Sequence, residues 1–568
     1  MLDMLTLGEV EDTMRRLSKA IVIFVIVGLM AAAGAALSVL PAIQNPSVEN
    51  KQIKDTTLNN IGSADDRLSR VIGRNESSIN RAVSSTNRVI SSTGTVTSTR
   101  TVTNTVTAAS TVTATPRPEQ TVVPLVPGGE GTEFALRINN SIQEKVDQGR
   151  QVFRFDTFGD EDFWGGTLRL HQAIKGEKLG GVGAGVSPKT ALDVGLKVDA
   201  DALPAPLIQD LKAGKVDLNS PATTVALLKL NAVVGVKGFF NNNSGDLESV
   251  GITCAFCHST VDDSLAPGIG HRLDGWANHD LNVGAIVALS PNLTVFADLL
   301  GTDVATVKTV LNSWGPGKFD AELNLDGKAF NPQQVTDGVV TGTNVSGATL
   351  IPNAFGMAGF SQHTWTGAWG GIPYWNAFVA NLEMHGKGTF FDPRLDNASK
   401  FPVAAKNGFG HIRTNPDDDL ITSKIPALHF YQVALPAPKP KPGVDFNESA
   451  AKRGDELFSG KAQCNNCHVE PLWTEPGWDL HKPEEIGIDG FEANRAPDGV
   501  YKTMNLAGIF VRENGLFMKP ENKGRFYHDG RFATLMDVVN HYNNFFKLGL
   551  TEQEKKDLVE YLKSLPEK

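Results

Sequence analysis

The chain has few cysteines and no excess of positive charge, and each shortage narrows the functions open to it. Its 568 residues include only four cysteines, which excludes a scaffold held together by many disulfides. The formal net charge of −10 argues against nucleic acid as a partner. Residues 46–120 contain no aromatic side chain and are rich in Ser, Thr and Asn, a composition that cannot build a hydrophobic core.

All four cysteines lie in two C-x-x-C-H motifs, Cys254–His258 and Cys464–His468. This pattern is the attachment signal for c-type haem, in which the thiols form thioether bonds to the porphyrin and the His ligates the iron. One four-cysteine zinc site, two redox dithiols and structural disulfides are the alternatives, but zinc does not require a His after each second Cys. The sequence therefore predicts two covalently bound haem c groups. The attachment residues would be Cys254, Cys257, Cys464 and Cys467, and the proximal iron ligands would be His258 and His468.

An uncharged apolar run, Ala20–Ala42, is long enough to cross a bilayer as a helix. Basic residues within 15–19 precede it, so the positive-inside rule leaves residues 1–19 in the cytoplasm and the rest of the chain outside. Cleavage as a signal peptide is the alternative, because Ala35 and Ala36 resemble a processing site. We expect a retained single-pass anchor in the bacterial inner membrane at residues 20–42, with the haem motifs in the periplasm.

Residues 43–132 are predicted to form a low-complexity stalk between the membrane and the folded protein. Apolar residues from Ile61 to Ile90 recur at alternating spacings of seven and four, which permits a short coiled coil. The polar composition instead favours a solvated tether, and the Thr-rich stretch that follows is typical of extended or glycosylated spacers.

The folded part is predicted to contain two haem domains. Residues 133–435 would form an N-terminal haem domain with insertions, a Pro-rich joint at 436–449 would end it, and residues 450–568 would form a C-terminal cytochrome c domain. Helical patterns recur and no strand is clearly signalled, so we predict a mainly α fold with long loops. In the C-terminal domain, the helix before the haem motif should pack across the final helix.

Three segments of the C-terminal domain resemble the bacterial dihaem cytochrome c peroxidase and MauG superfamily. They are Tyr501–Gly508, Phe526–Asn543 and the closing pattern LTEQEKKDLVEYLKSL. The resemblance covers about residues 450–565, is looser around the first motif, and does not extend to residues 176–240. It implies two cytochrome c domains that face each other, with the C-terminal haem relaying electrons and the N-terminal haem meeting peroxide or oxygen.

The resemblance also implies a distal ligand for the second iron. The family places it on the helix after its HDG motif, at the position of Tyr542, where MauG-type proteins have Tyr and ordinary peroxidases have Met. A phenolate favours ferric iron and lowers its potential relative to a thioether. His541 is the reserve ligand, followed by Met536 or Met518, and His528 of the HDG motif is expected to be structural.

For the first iron, the resemblance points to His271, thirteen residues after His258, where the peroxidases often have a distal His. His279 is a second candidate, and a loop His bonded to a propionate is the alternative for each. The acid-base stretch of the peroxidases is not found, nor are the residues that bind an interhaem calcium, so a calcium ion is doubtful. Groups that would replace the missing acid or base are Asp320, Glu322, Asp326 and His279.

The segment Pro352–Arg394 is crowded with aromatic residues. It would form either a core packed on porphyrin or an aromatic wall that carries electrons or holds an apolar substrate. Trp365 is the best candidate for an electron relay. His363, Met384 and His385 are reserve iron ligands.

These patterns predict a membrane-tethered dihaem c-type oxidoreductase. Electrons from a redox protein or a quinone-linked chain would enter at the C-terminal haem, and peroxide or oxygen would react at the N-terminal haem, with His271 and Trp365 as weak candidates for the reaction site. A pure electron-transfer cytochrome, with both irons six-coordinate, is the main alternative. An oxygenase similar to the dihaem rubber oxygenases and a sensor with structural haem are the others.

Overall fold

A computed structural model describes residues 133–477 and 479–566. The predicted cytoplasmic segment, membrane anchor and stalk (1–19, 20–42 and 43–132) lie outside these residues. Within the described part of the chain, no helix combines the length and the hydropathy needed to cross a membrane.

Helices supply most of the regular structure, and many start at a Pro in the first turn or at a capping side chain. In chain order α1 to α18 are Glu133–Phe155, Leu170–Lys175, Pro188–Asp193, Ala205–Lys212, Pro221–Lys229, Ala255–His258, Val283–Ala288, Thr294–Leu300, Val304–Trp314, Leu323–Asp326, Ile372–Phe378, Pro402–Asn407, Ile425–Ala434, Glu448–Ser459, Phe491–Arg495, Phe510–Asn514, Leu535–Phe545 and Glu552–Ser564. Two π-helical segments are Asp162–Thr167 and Val379–Glu383, and a 3-10 turn forms at Cys464–Asn466.

The strands are short and pair two by two into separate ribbons. In chain order β1 to β16 are Val198–Asp199, Val236–Phe240, Leu247–Ile252, Ser259–Val261, Ile269–Gly270, Arg272–Asp274, Lys318–Phe319, Phe330–Asn331, Gln334–Thr336, Val339–Gly342, Val345–Ser346, Thr349–Leu350, Phe390–Phe391, His411–Ile412, Leu480–His481 and Tyr501–Lys502. The pairings are β1–β5, β2–β3, β4–β6, β7–β12, β8–β11, β9–β10, β13–β14 and β15–β16, and β1–β5 is parallel.

The prediction of a mainly α fold is therefore correct only in part. Helix makes up 42% of the structure and strand 13%, so the fold is mixed α/β. Most strands span only two or three residues, which is too short to show the alternation of apolar and polar residues by which a strand is recognised in a sequence.

Each haem motif is preceded by a helix that crosses a second, later helix at a glycine. In the first half, α1 crosses α13 at Gly149, where a Cβ atom would overlap the carbonyl oxygen of Ala427. The rings of Phe153 and Tyr431 then pack edge to face with centroids 5.5 Å apart.

The second half repeats this arrangement. Helix α14 crosses α18 at Gly454, where a Cβ atom would overlap the carbonyl oxygen of Asp557. Phe458 and Tyr561 pack with ring centroids 5.0 Å apart, and the Arg453 guanidinium lies 2.6 Å from the Asp557 carboxylate. The predicted packing of the helix before the second motif against the final helix is confirmed.

Residues 350–352 lie between the two halves. Strand β12 pairs with β7, and the Leu350 backbone N–H donates a 2.6 Å hydrogen bond to the carbonyl of His528 in the second half. A buried ion pair between Arg495 and Asp320, at 2.7 Å, joins the halves nearby. Backbone and ion-pair contacts thus join the two halves around residues 350–352.

Candidate redox site

The first motif forms a single helical turn directly after β3. The His258 backbone N–H donates to the Cys254 carbonyl at 3.2 Å, and Phe256 is buried beneath the turn. Gly235, with a φ of +78°, packs so closely on the Phe256 backbone that any side chain there would collide with it. Burial raises the pKa of the Cys254 and Cys257 thiols to about 12, so both are held as neutral thiols.

His258 is held in the protonation state that suits an iron ligand. Its Nδ1 lies 3.1 Å from the carbonyl oxygen of Pro352, and burial lowers its pKa to about 4. A neutral imidazole that donates its Nδ1–H to a carbonyl leaves the Nε2 lone pair for a metal.

Three successive carbonyls organise the groups around His258. Leu350 O accepts a 2.7 Å hydrogen bond from Trp365 Nε1, Ile351 O lies 3.3 Å from His279 Nε2, and Pro352 O accepts from His258. Since adjacent backbone units are only about 3.3 Å apart, Trp365 and His279 are fixed close to the first motif.

Two buried side chains near the first motif have no hydrogen-bond partner among the described residues. The ring of His363 is 9% exposed and makes no such bond, and burial, followed by the charges of His258 and Lys502, lowers its pKa to about 3. Both carboxyl oxygens of Glu383 are likewise unpartnered, and that side chain is 8% exposed.

Glu383 lies close enough to Cys257 for its charge to contribute to the raised pKa of that thiol. Burial raises the pKa of Glu383 itself well above its usual range. It ends the π-helical segment Val379–Glu383, and His385 follows with a φ of +62°, so an irregular backbone turns this carboxyl inward. No motif in the sequence marks Glu383 as functional, although it is the one acidic residue between Pro352 and Phe391.

His271 does not lie among the buried groups around His258. Its side chain is 61% exposed, and its Nδ1 lies 2.7 Å from Asp201 Oδ1, on the end of the β4–β6 ribbon away from His258. A role for His271 as distal ligand stays a prediction, and this conformation does not favour it. His279 is buried, and its Nε2 lies 3.2 Å from Arg512 Nη2 and 3.3 Å from Ile351 O, while its Nδ1 has no hydrogen-bond partner among the described residues.

The second motif mirrors the first at its proximal His. The 3-10 turn Cys464–Asn466 carries the first thiol, and the His468 backbone N–H donates to Cys464 O at 2.9 Å. His468 Nδ1 lies 3.0 Å from Trp473 O, and burial lowers the pKa of the imidazole to about 4. Both predicted proximal ligands therefore have the same protonation state and the same kind of carbonyl partner.

Tyr542 is electrostatically coupled to the thiols of the second motif. Burial raises the pKa of its phenol to about 12, a hydrogen bond with the Tyr527 side chain lowers that pKa, and the charges of Cys467 and Cys464 raise it. The ring stacks on exposed Phe546 with centroids 5.7 Å apart. This geometry favours Tyr542 as the distal ligand, as the resemblance implied.

The reserve ligands have other surroundings. His541 Nε2 lies 2.8 Å from Ile486 O and its Nδ1 2.6 Å from Asp337 Oδ1, so neither nitrogen is open to an iron. His385 stacks on Phe163 with ring centroids 3.7 Å apart. Met384 is buried in the hydrophobic core of the first half, and Met536 packs against the hydrophobic core of the second half. His528 stacks on Tyr501 and its carbonyl accepts from Leu350, which fits the predicted structural role.

Lys502 lies between the two centres and was not foreseen. Its ammonium donates to Thr474 Oγ1 at 2.8 Å and to Thr503 O at 2.7 Å, and its charge lowers the pKa of both His363 and His468. Its backbone N–H donates to the Trp365 carbonyl at 2.9 Å, so Trp365 is bonded to both halves.

The donor set fits haem c better than zinc. Among the described residues, only Cys467, Glu475 and His481 lie within 4.8 Å of one another as a potential metal group, so the four cysteines do not converge on one ion. No disulfide joins them. Because each motif pairs two half-buried thiols with a neutral imidazole, and Cys467 cannot serve both a thioether and an ion, the residues present suit haem attachment.

No family model matches the chain. Cytochrome-c peroxidase IdrP1 of Denitromonas iodatirespirans is 29% identical over 246 residues, which cover 34% of this chain and 64% of that protein. Hydrazine synthase subunit gamma of Kuenenia stuttgartiensis is 31% identical over 147 residues, 20% of this chain and 41% of that one. The chain thus spans less than two thirds of either relative, and both support the resemblance drawn from the C-terminal motifs.

Two solved structures are similar only at low scores. A MauG-like protein associated with microbial copper homeostasis has a TM-score of 0.25 and 19% identity, covering 43% of this chain and 80% of that one. A hydrazine synthase from Kuenenia stuttgartiensis has a TM-score of 0.22 and 20% identity, covering 40% and 78%.

Proposed function

We propose, on the premise that this chain is a divergent relative of the dihaem cytochrome c peroxidase and MauG superfamily, that it is a dihaem c-type oxidoreductase. Cys254 and Cys257 would hold one haem and Cys464 and Cys467 the other. Electrons would enter at the C-terminal haem, and peroxide or oxygen would react at the N-terminal haem. Haem iron supplies one-electron exchange and, where a coordination position is open, a binding site for a small oxidant.

The observation that carries this assignment is the difference between the two centres. In the second half, Tyr542 supplies a phenol that is hydrogen-bonded to Tyr527 and coupled electrostatically to both thiols of the motif. Near the first motif, His363 and Glu383 are buried and have no hydrogen-bond partner among the described residues. Buried polar groups normally have partners, and exceptions cluster where function requires them.

Glu383 would hold and deliver the proton that the reaction needs. Reduction of hydrogen peroxide breaks one O–O bond, consumes two electrons and two protons, and releases two molecules of water. A carboxyl that burial keeps protonated at neutral pH can give its proton to the departing oxygen. Glu383 thus replaces the acid-base stretch that the sequence lacks.

Trp365 would serve as a relay between the centres. Its indole N–H is fixed on Leu350 O in the first half, and its carbonyl accepts from the Lys502 backbone of the second half. The Arg512 guanidinium lies 6.0 Å from its ring. A residue held through both its indole and its backbone carbonyl keeps one distance to each motif, which a relay requires.

Turnover with hydrogen peroxide and a reduced dye as electron donor tests the proposal. Glu383→Gln should lower the rate by about 10²-fold, the usual contribution of a positioned acid. Glu475→Gln, which changes a buried carboxyl beside Cys467, is the matched control and should retain most of the rate. Equal rates for the parent and Glu383→Gln, or the absence of turnover in the parent, would contradict the proposal.

His363 favours a second candidate function, electron transfer without substrate chemistry. Its unpartnered ring lies near His258 and would make the first iron six-coordinate if it ligated it. His363→Ala should then change the spectrum of the first haem and open it to carbon monoxide. If the parent binds carbon monoxide as well as this variant does, the electron-transfer candidate fails.

We also propose that residues 20–42 anchor the chain in the inner membrane, with both haem motifs in the periplasm. The support is the sequence pattern alone, together with the need of c-type haem for export. Sedimentation of the full chain with membranes, and its digestion by protease added outside spheroplasts, are the expected results. Recovery in the soluble cytoplasmic fraction would overturn this placement.

A further inference from the structure

A small cavity lies directly behind Glu383. Its wall is mostly apolar, formed by residues such as Val287, Phe296, Val310 and Leu311, and Glu383 forms part of its lining. The volume of the cavity is about 40 Å³. One buried water needs roughly 10–15 Å³, whereas a benzene-sized ligand needs a cavity of about 150 Å³. The cavity therefore suits about three water molecules and excludes an organic substrate.

Polar atoms without partners converge on this cavity. Trp314 Nε1, Asp320 Oδ2 and both carboxyl oxygens of Glu383 have no hydrogen-bond partner among the described residues, and all three side chains line the cavity. Each of these side chains is more than nine-tenths buried. Water that bridges such atoms satisfies both donors and acceptors and connects Glu383 to Asp320.

Asp320 belongs to a buried group of carboxyls that carry more potential negative charge than the nearby Arg495 can balance. The Arg495 guanidinium lies 2.7 Å from Asp320, 3.0 Å from Asp326 and 3.8 Å from Glu492. Glu322 accepts a 3.2 Å hydrogen bond from Trp369 Nε1, and its charge and that of Asp320 raise the pKa of Glu383.

Four of these buried carboxyls, Asp320, Glu322, Asp326 and Glu492, act on the one Arg495 guanidinium, and Glu383 adds a fifth beside Glu322 and Asp320. Uncompensated carboxylates at this depth are too costly, so several of them hold protons at neutral pH. Burial raises the pKa of Glu322 to about 7 and that of Glu492 well above its usual range.

We infer that Glu383 is the end of a proton relay, in which cavity water links it to Asp320, and the carboxyls around Arg495, Glu322 among them, store the protons. This inference rests on the proposed function, because it requires a reaction at the first centre that consumes protons. Each peroxide would take two electrons from the reduced donor and two protons through Glu383. The carboxylate left on Glu383 would be reprotonated through the water chain by Asp320 or Glu322.

Two variants of the haem-loaded protein test the relay without touching Glu383. Glu322→Gln removes one stored proton, and Val310→Ile adds a methylene that reduces the space for water. Each should lower peroxide turnover roughly tenfold and raise the solvent deuterium isotope effect. There are two matched controls. Asp417→Asn changes an exposed carboxyl, and Val216→Ile adds a methylene beside a second, apolar cavity. Neither should change the turnover rate or the isotope effect.

Infrared difference spectra provide a readout that does not depend on turnover. Reduction of the protein should perturb carboxylic acid C=O bands, of which one disappears in Glu383→Gln and another in Glu322→Gln. Absence of such bands in the parent would overturn the relay, as would an unchanged isotope effect in both relay variants. If the parent shows the bands but reduces neither peroxide nor oxygen, the proposed function fails and the proton store stands.

Discussion

The two halves of the molecule share a frame and differ in what surrounds their haem motifs. In each half, a helix before the motif crosses a later helix at a glycine, Gly149 or Gly454, and each proximal His donates to a backbone carbonyl. The second motif then has Tyr542 beside its thiols, whereas the first has unpartnered His363 and Glu383 near it. The shared helix crossing and proximal His account for haem attachment in both halves. The different side chains near the two motifs are the reason that we assign the reaction with peroxide or oxygen to the first half only.

The largest effects should come from removing the attachment residues of each half in turn. The double variant Cys254→Ala, Cys257→Ala and the double variant Cys464→Ala, Cys467→Ala should each lose one haem, which halves the pyridine haemochrome per polypeptide. Both are compared with the parent by haemochrome and intact mass. A variant that keeps its full haem content would show that the motif it lacks carries no haem.

Replacing the proposed distal ligand of the second haem should change the reduction potential of that haem and not of the first. Tyr542→Met should raise the reduction potential of the second haem, because a thioether favours ferrous iron more than a phenolate does. Redox titration measures this change, and the potential of the first haem should stay the same. Tyr501→Phe is the control and should leave the potential unchanged, since it removes a phenol hydroxyl that donates to the Asp489 carbonyl and not to Tyr542. An unchanged potential in Tyr542→Met would rule out ligation by Tyr542.

The shared frame predicts equal responses to a methyl group at each helix crossing. Gly149→Ala and Gly454→Ala should each lower the free energy of unfolding by about 1–3 kcal/mol, because the Cβ atom meets a backbone carbonyl that cannot move aside easily. Gly166→Ala, where the nearest atom is 4.0 Å away, is the control. If denaturant unfolding shows a lower free energy of unfolding for only one of the two variants, the two helix crossings are not equivalent.

The smallest effect is expected at His271. Asp201 raises the pKa of this exposed imidazole, so the pair adds stability below the unfolded pKa of His, and that stability is lost as pH rises through the higher folded pKa. His271→Gln should therefore cost only a few tenths of a kcal/mol at pH 6 and nothing at pH 9. Carbon monoxide binding should be unchanged, and tighter binding would instead support His271 as the cap of the first iron.

The sequence predicts the parts of the molecule that depend on fixed spacing. Both C-x-x-C-H motifs place a neutral His beside two half-buried thiols, and the crossing of α14 and α18 follows from their amphipathic patterns. Tyr542 lies beside the thiols because it occupies a fixed position on a regular helix, α17.

Features that depend on tertiary packing were not predictable in the same way. Glu383 is buried only because a π-helical segment turns it inward, and Lys502 lies between the centres because β16 pairs with β15. Both look like ordinary surface residues in the sequence. His271 was placed by its spacing from His258, but the β4–β6 ribbon carries its side chain to the surface.

Cyanide titration of the half-reduced protein, followed by electron paramagnetic resonance, tests the division of labour between the centres most directly. We expect cyanide to bind one iron only, and the binding to persist in the variant lacking Cys464 and Cys467 but to disappear in the variant lacking Cys254 and Cys257. Binding that survives the loss of the first pair, or irons that stay low-spin and unliganded by cyanide in every redox state, would contradict the account.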